Sequence, residues 1–221
     1  MTILVPPRAH ANIGCAVEGF NLSNTISGTK QVMTVTVATP SVADGDIVVT
    51  VTAANMTGTP EDVTVTVANG DAVGAVAGKL ATALAAADGV KTFFDVAVAG
   101  AVVTMTRKTH AANDAGMKVA LKTDASNTGV TLNSAITVQG ALATSCTITL
   151  TPEVSYAAVP VMAGVPQHVK GQGSAATKME WAITAQAKTG VTITCTLDQA
   201  PGAGVTDTIV FNGGLIGVPA R

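Results

Sequence analysis

Residues 44–89 read DGDIVVTVTAANMTGTPEDVTVTVANGDAVGAVAGKLATALAAADG, and this stretch decides the fold. Its first part has period two. Ile47, Val49 and Val51 fall on one face, and Val48, Thr50 and Thr52 on the other, the mark of a half-buried strand. After a turn at Thr57-Gly58-Thr59-Pro60, Val63, Val65 and Val67 alternate with Thr64 and Thr66. A second strand therefore returns as a hairpin with a longer loop. The period then changes. Val73, Val76, Ala77, Leu80 and Leu84 form a helical stripe, thin enough to lie close on a sheet. Asn69 or Asp71 is placed to cap its start. Asp88-Gly89 is placed to end it, with the glycine taking a left-handed conformation.

Downstream of the helix, Phe94, Val96 and Val98 alternate, then Val103, Met105 and Arg107, then Met117, Val119 and Leu121. The last run carries Lys118 and Lys122 on its other face, so one face is wet. Thr109 to Gly116 reads as a surface loop. The order β-β-α-β-β-β predicts an α+β module at 44–134, one helix packed on a mostly antiparallel sheet. Upstream, Val32 to Val37 alternates and Pro40 ends it. Residues 31–43 are read as strand and linker, with the strand pairing with the C-terminal domain. Residues 1–30, with Pro6-Pro7, Gly14, Gly19 and Gly28, show little periodicity and read as an extended arm. In 135–221, short alternating runs at 135–139, 146–151, 156–162, 179–187, 191–197 and 206–211 are punctuated by glycine and proline. That spacing predicts a β-sandwich or small barrel. The fold class is thus mainly β, with one α+β module.

The composition narrows the function. The chain has 221 residues, of which 38 are alanine, 31 valine and 33 threonine; only 12% are charged and the net charge is -2. A hydrophobic fraction of 48% excludes a solvating, disordered chain. The charge balance argues against nucleic acid as a partner. No run reaches the roughly 18 apolar residues of a membrane span, and Met1 to Arg8 lacks the pattern of a signal peptide. The triplets Asn21-Leu22-Ser23 and Asn55-Met56-Thr57 would matter only in a secretory route.

The residues that carry chemistry are scattered. His10, His110 and His168 stand alone, and Asp44-Gly45-Asp46 is too short for a calcium loop. Gly74 to Leu80 has one residue too few for a phosphate loop and lies within the helix; Gly171 to Lys178 lacks the glycine before its lysine. The second segment, small and polar, reads as a mobile loop. Ser174 has no nucleophile elbow. Arg107-Lys108 with His110 is the one local basic cluster, without aromatic platforms beside it. Cys15, Cys146 and Cys195 form no C-x-x-C pair. Cys146 and Cys195 read either as small buried hydrophobes on strands or as a disulfide. Trp181, alternating with Met179 and Ile183, reads as a core residue. No catalytic, cofactor-binding or metal-binding residue is assigned, and no cofactor or small-molecule substrate is expected.

The landmarks between Asp44 and Thr131 carry a resemblance. They are Ile47 to Thr52, Met56 to Pro60, Val63 to Val67, the alanine-rich helix, Ala101 to Thr106, Ala111-Ala112-Asn113-Asp114 and Thr128-Gly129-Val130-Thr131. This stretch resembles a module of structural proteins of tailed bacteriophages, among them capsid decoration, tail and fibre proteins. The resemblance implies a virion protein, assembled in the bacterial host cytoplasm, and it carries no catalytic residue. The resemblance does not fix which virion part; the extended N-terminal arm and two compact β-rich domains favour a capsid decoration (cement) protein, binding the major capsid protein or other virion proteins as a homo-oligomer. A tail tube, tail terminator or fibre component is the alternative. A surface carbohydrate-binding module is a further alternative, against which the shortage of aromatics counts. Valine–threonine strands with few charges are also poor guards of their own sheet edges, which suits a protein covered by neighbours.

Overall fold

The structure is a computed structural model that describes residues 16–220. Its strands are, in chain order, β1 (Ala16–Ile26), β2 (Gly28–Thr29), β3 (Val32–Val37), β4 (Gly45–Thr52) and β5 (Glu61–Val67). Helices α1 (Val73–Ala86) and α2 (Asp88–Phe93) follow, then β6 (Phe94–Ala99), β7 (Val102–Arg107), β8 (Lys118–Thr123) and β9 (Leu132–Val138). The rest is β10 (Ala141–Leu142), β11 (Ser145–Leu150), β12 (Val161–Ala163), β13 (Pro166–Val169), β14 (Met179–Ala187), β15 (Gly190–Leu197) and β16 (Asp207–Gly217). The fold is mainly β, with antiparallel sheets and one long packed helix. It divides into two compact units, and the unit at Gly28–Ala141 is inserted in sequence between the two parts of the other.

In the inserted unit, β6-β7-β3-β9 form one sheet and β5-β4-β8 another. Ile47, Val49, Val51, Val63, Val65 and Val67 are all buried on the predicted face. Helix α1 covers the core with Val76, Ala77, Leu80, Ala81 and Leu84. The helix ends differ from expectation. Ala72 is the N-cap and makes no side-chain cap bond. Asp71 instead turns back, accepting from the Ala68 N–H at 2.7 Å and from Lys79 Nζ at 2.5 Å. At the other end α1 stops at Ala86 and Ala87 is extended; Asp88-Gly89 open α2, and Gly89 is not left-handed. Glu61, reaching over from β5, accepts from the N–H groups of Gly89 and Val90 at 3.3 and 3.0 Å. Gly89 serves close approach, since a Cβ would stand 2.3 Å from the Thr57 carbonyl oxygen.

Strand β3 does not pair with the C-terminal domain. It lies between β7 and β9, in register with Thr106 at Val32 and with Leu132 at Val37. The run at 135–139, read as part of the C-terminal domain, is likewise β9 of the inserted unit. The module is therefore wider than 44–134. The loop at 109–116 is not wholly at the surface, because His110 and Ala111 are buried. The buried Gln31 side chain holds this loop like a strand, donating to the Asp114 carbonyl and accepting from the Asp114 N–H, both at 2.8 Å.

The other unit is a sandwich of two antiparallel sheets. Strand β16 is flanked by β1 on one side and by β12 and β13 on the other, and β11-β15-β14 form the second sheet. Phe20, Ile26, Ile209, Phe211 and Leu215 share one core with Ile148, Leu150, Val191, Ile193 and Cys195. The described part of the expected arm is thus no arm. Ala16 to Ile26 pairs with β16 along eleven residues. Glu18 and Asn24 fall at alternate positions with Phe20, Leu22 and Ile26, and those polar residues mask the alternation. Buried Glu18 accepts from the Glu153 N–H at 2.9 Å, and exposed Asn24 donates to the Thr147 carbonyl at 2.7 Å.

Candidate functional site

Among the described residues of the sandwich, a histidine, a serine and a buried aspartate converge. Asp207, at the start of β16, has no solvent exposure. Its Oδ1 accepts from the Gly171 N–H at 2.7 Å, and its Oδ2 from the Ser174 hydroxyl at 2.8 Å. His168 Nε2, on β13, lies 2.8 Å from the same Oδ2. Burial works against the Asp207 charge, but these donors outweigh it and hold the carboxyl below its ordinary range. The segment read as a mobile loop at 171–178 is therefore tied down. Its far end is held as well, since Asp198 accepts from the N–H groups of Thr177 and Lys178 at 2.9 and 3.0 Å.

Serine, histidine and aspartate here do not form a nucleophilic relay. That relay needs the serine hydroxyl on the imidazole, with the carboxylate behind it. In this cluster the serine and the histidine both bond to the carboxylate. The arrangement clamps β13 and the following loop onto β16.

The other candidates separate. His10 and Cys15 lie outside the described residues. His110 belongs to the inserted unit and His168 to the sandwich. Among the described residues, no three His, Cys, Asp or Glu side chains gather as a metal site. The lysine of Gly74 to Leu80 is paired with Asp71. The basic cluster also diverges: Arg107 is only 4% exposed and stacks on the Phe93 ring at 4.7 Å, while Lys108 Nζ donates to the Lys91 carbonyl and stands 4.0 Å from Asp95. Cys146 and Cys195 are free thiols in register on adjacent strands.

The sandwich also exposes apolar side chains. Val17, Ile216 and Val161 form one cross-strand row over β1, β16 and β12. They are 46%, 36% and 67% exposed. Val159, Val165, Val169 and Val218, nearby in sequence, are exposed too. Trp181, read as a core residue, is another exception. It sits on β14 at the edge of its sheet and is 39% exposed. The alternation was read correctly, but an inward face on an edge strand extends past the layer that would cover it. Sequence reasoning missed the valine row, because Val17 and Ile216 become neighbours only through the pairing of β1 with β16.

No protein-family model matches the chain, and no curated protein matches it.

Proposed function

We propose that the chain is a structural protein of a tailed-bacteriophage particle, a decoration protein that binds the capsid and stabilises the head. The exposed row Val17–Ile216–Val161 carries this reading. Solvated β faces normally alternate to polar residues, and an apolar row across three strands is the surface of a protein that docks. The resemblance of the central module to phage structural proteins supplies the setting, with the major capsid protein or other virion proteins as partners. Energetics favour a repeated attachment. Burying three half-exposed aliphatic side chains contributes about 1 kcal/mol each. One such contact falls short of the association cost of about 4–15 kcal/mol. Oligomers bound at many equivalent points overcome that cost through effective concentration.

The test is to image particles carrying a label on the C-terminus of this chain, and to compare particles made with and without it. Label on the head, with faster loss of heads under heat or osmotic shock when the protein is missing, is the expected result. Label on the tail would replace this reading with a tail component. Particles without label, and unchanged under stress, would overturn it.

A further inference from the structure

We propose that β14 is a self-association edge, through which two copies of this chain pair antiparallel about a two-fold axis at Ala182. The three-stranded sheet β11-β15-β14 would then continue as six strands across the two copies.

Four observations lead there. First, among the described residues β14 is a free edge nine residues long, and no main-chain group of Met179 to Ala187 bonds to a described residue beyond its own sheet. The opposite edge strand, β11, is engaged, with Asn24 donating to its Thr147 carbonyl. Second, β14 is lightly guarded. It contains no proline and no lysine, and its guards are one charge, Glu180, and one bulge after Ile183, which leaves the stretch ahead of it regular. Third, its apolar side chains continue the core row by row. Cys146, Cys195 and Trp181 are in register, as are Ile148, Ile193 and Ile183. Cys195 and Ile193 are fully buried, yet Trp181 and Ile183, the next members of the rows, are 39% and 40% exposed.

Fourth, the strand is complementary to itself in one register. With Ala182 on the axis, Trp181 faces Ile183 of the second copy and Ile183 faces its Trp181. The four side chains lie on one face and extend the buried layer. The pairs from Trp181 to Ile183, all ahead of the bulge, bring no charged residues together. Shifting the register by two residues in either direction takes Trp181 away from Ile183. The pairs nearest the axis fall within Met179 to Ile183, the regular stretch ahead of the bulge.

This inference rests on the edge itself and stands whether or not the assembly is a phage head. Sedimentation of the full chain over a hundredfold range of concentration tests it. A dimer is expected, and amide exchange over Met179 to Ile183 should slow as concentration rises. Ile183→Lys and, separately, Trp181→Lys should each raise the dimer dissociation constant at least tenfold with unchanged far-ultraviolet circular dichroism. Val98→Lys, on an exposed position of the inserted unit, should leave it unchanged. A wild-type monomer throughout, or exchange over β14 indifferent to concentration, would overturn the proposal. A dimer on a chain that labels no particle would leave this proposal intact and defeat only the particle reading.

Discussion

Cys146 and Cys195 stand directly opposite each other on antiparallel β11 and β15, both as free thiols. Burial first, and then the neighbouring Cys146 sulfur, push the Cys195 thiol up to about 11, while burial alone raises Cys146. A thiol whose folded value lies above its ordinary 9.0 favours the fold most below that value. The sandwich should therefore lose stability as pH rises from 9 towards 11. Site-resolved alkylation at pH 8 should find Cys195 at least tenfold slower in the folded than in the unfolded chain. Equal rates would remove the basis for the shift.

The Asp207 cluster predicts the acid side. Its carboxyl is held below the ordinary 3.8 despite burial, so its contribution is complete above that value and fades as pH falls below it. Asp207→Ala leaves the hydroxyl of Ser174 and the Gly171 N–H without their acceptor. It should cost about 3 kcal/mol. Asp207→Asn should flatten the loss of stability in acid. Trp181, the one tryptophan, reports unfolding of the sandwich by its fluorescence.

Leu80 is fully buried at the centre of the α1 stripe. Leu80→Ala should destabilise the inserted unit by about 3 kcal/mol through lost transfer energy and the cavity left behind. Amide exchange in β5 and β6, on which the helix packs, is the measurement; unchanged protection there would mean that α1 does not hold the core.

Two glycines should respond with opposite signs. A Cβ at Gly213 would stand 2.2 Å from the Ala163 carbonyl oxygen and 2.6 Å from the Phe211 ring, where neither neighbour has room to yield. Gly213→Ala should cost about 2 kcal/mol. Gly78 lies inside α1 with nothing within 4 Å of a Cβ. Gly78→Ala should stabilise the inserted unit by about 1 kcal/mol, because alanine restricts the unfolded chain and favours the helix. Thermal midpoints of the two variants decide both signs.

The legible part of the fold lay where one rule governed a whole segment. Val63 to Val67 kept strict alternation, and Val76, Leu80 and Leu84 kept the helical period, so both appear as read. The α1 cap was not legible, because Asn69, Asp71 and Ala72 all stand near the start and the choice depended on Lys79 reaching Asp71. Nor was α2, whose N-terminus is satisfied by Glu61 from a strand 28 residues earlier. The Asp207 cluster escaped detection for a related reason. His168, Ser174 and Asp207 share no motif, and only the pairing of β13 with β16 brings them together.

By itself, the sequence determined the regularly alternating strands, such as β4, β5 and β7, and the long helix, since hydrophobic periodicity is a local property that neighbouring residues impose on one another. It also determined the scarcity of charge. Only the tertiary structure decided which sheet each strand joins. Pairing is a long-range choice, set by which inward faces fill one core. That choice turned the N-terminal segment into β1, moved β3 and β9 into the inserted unit, and left Trp181 on an open edge. The same alternation of Met179, Trp181 and Ile183 would have been core in a central strand. At an edge it becomes surface, because no strand lies beyond it to complete the layer.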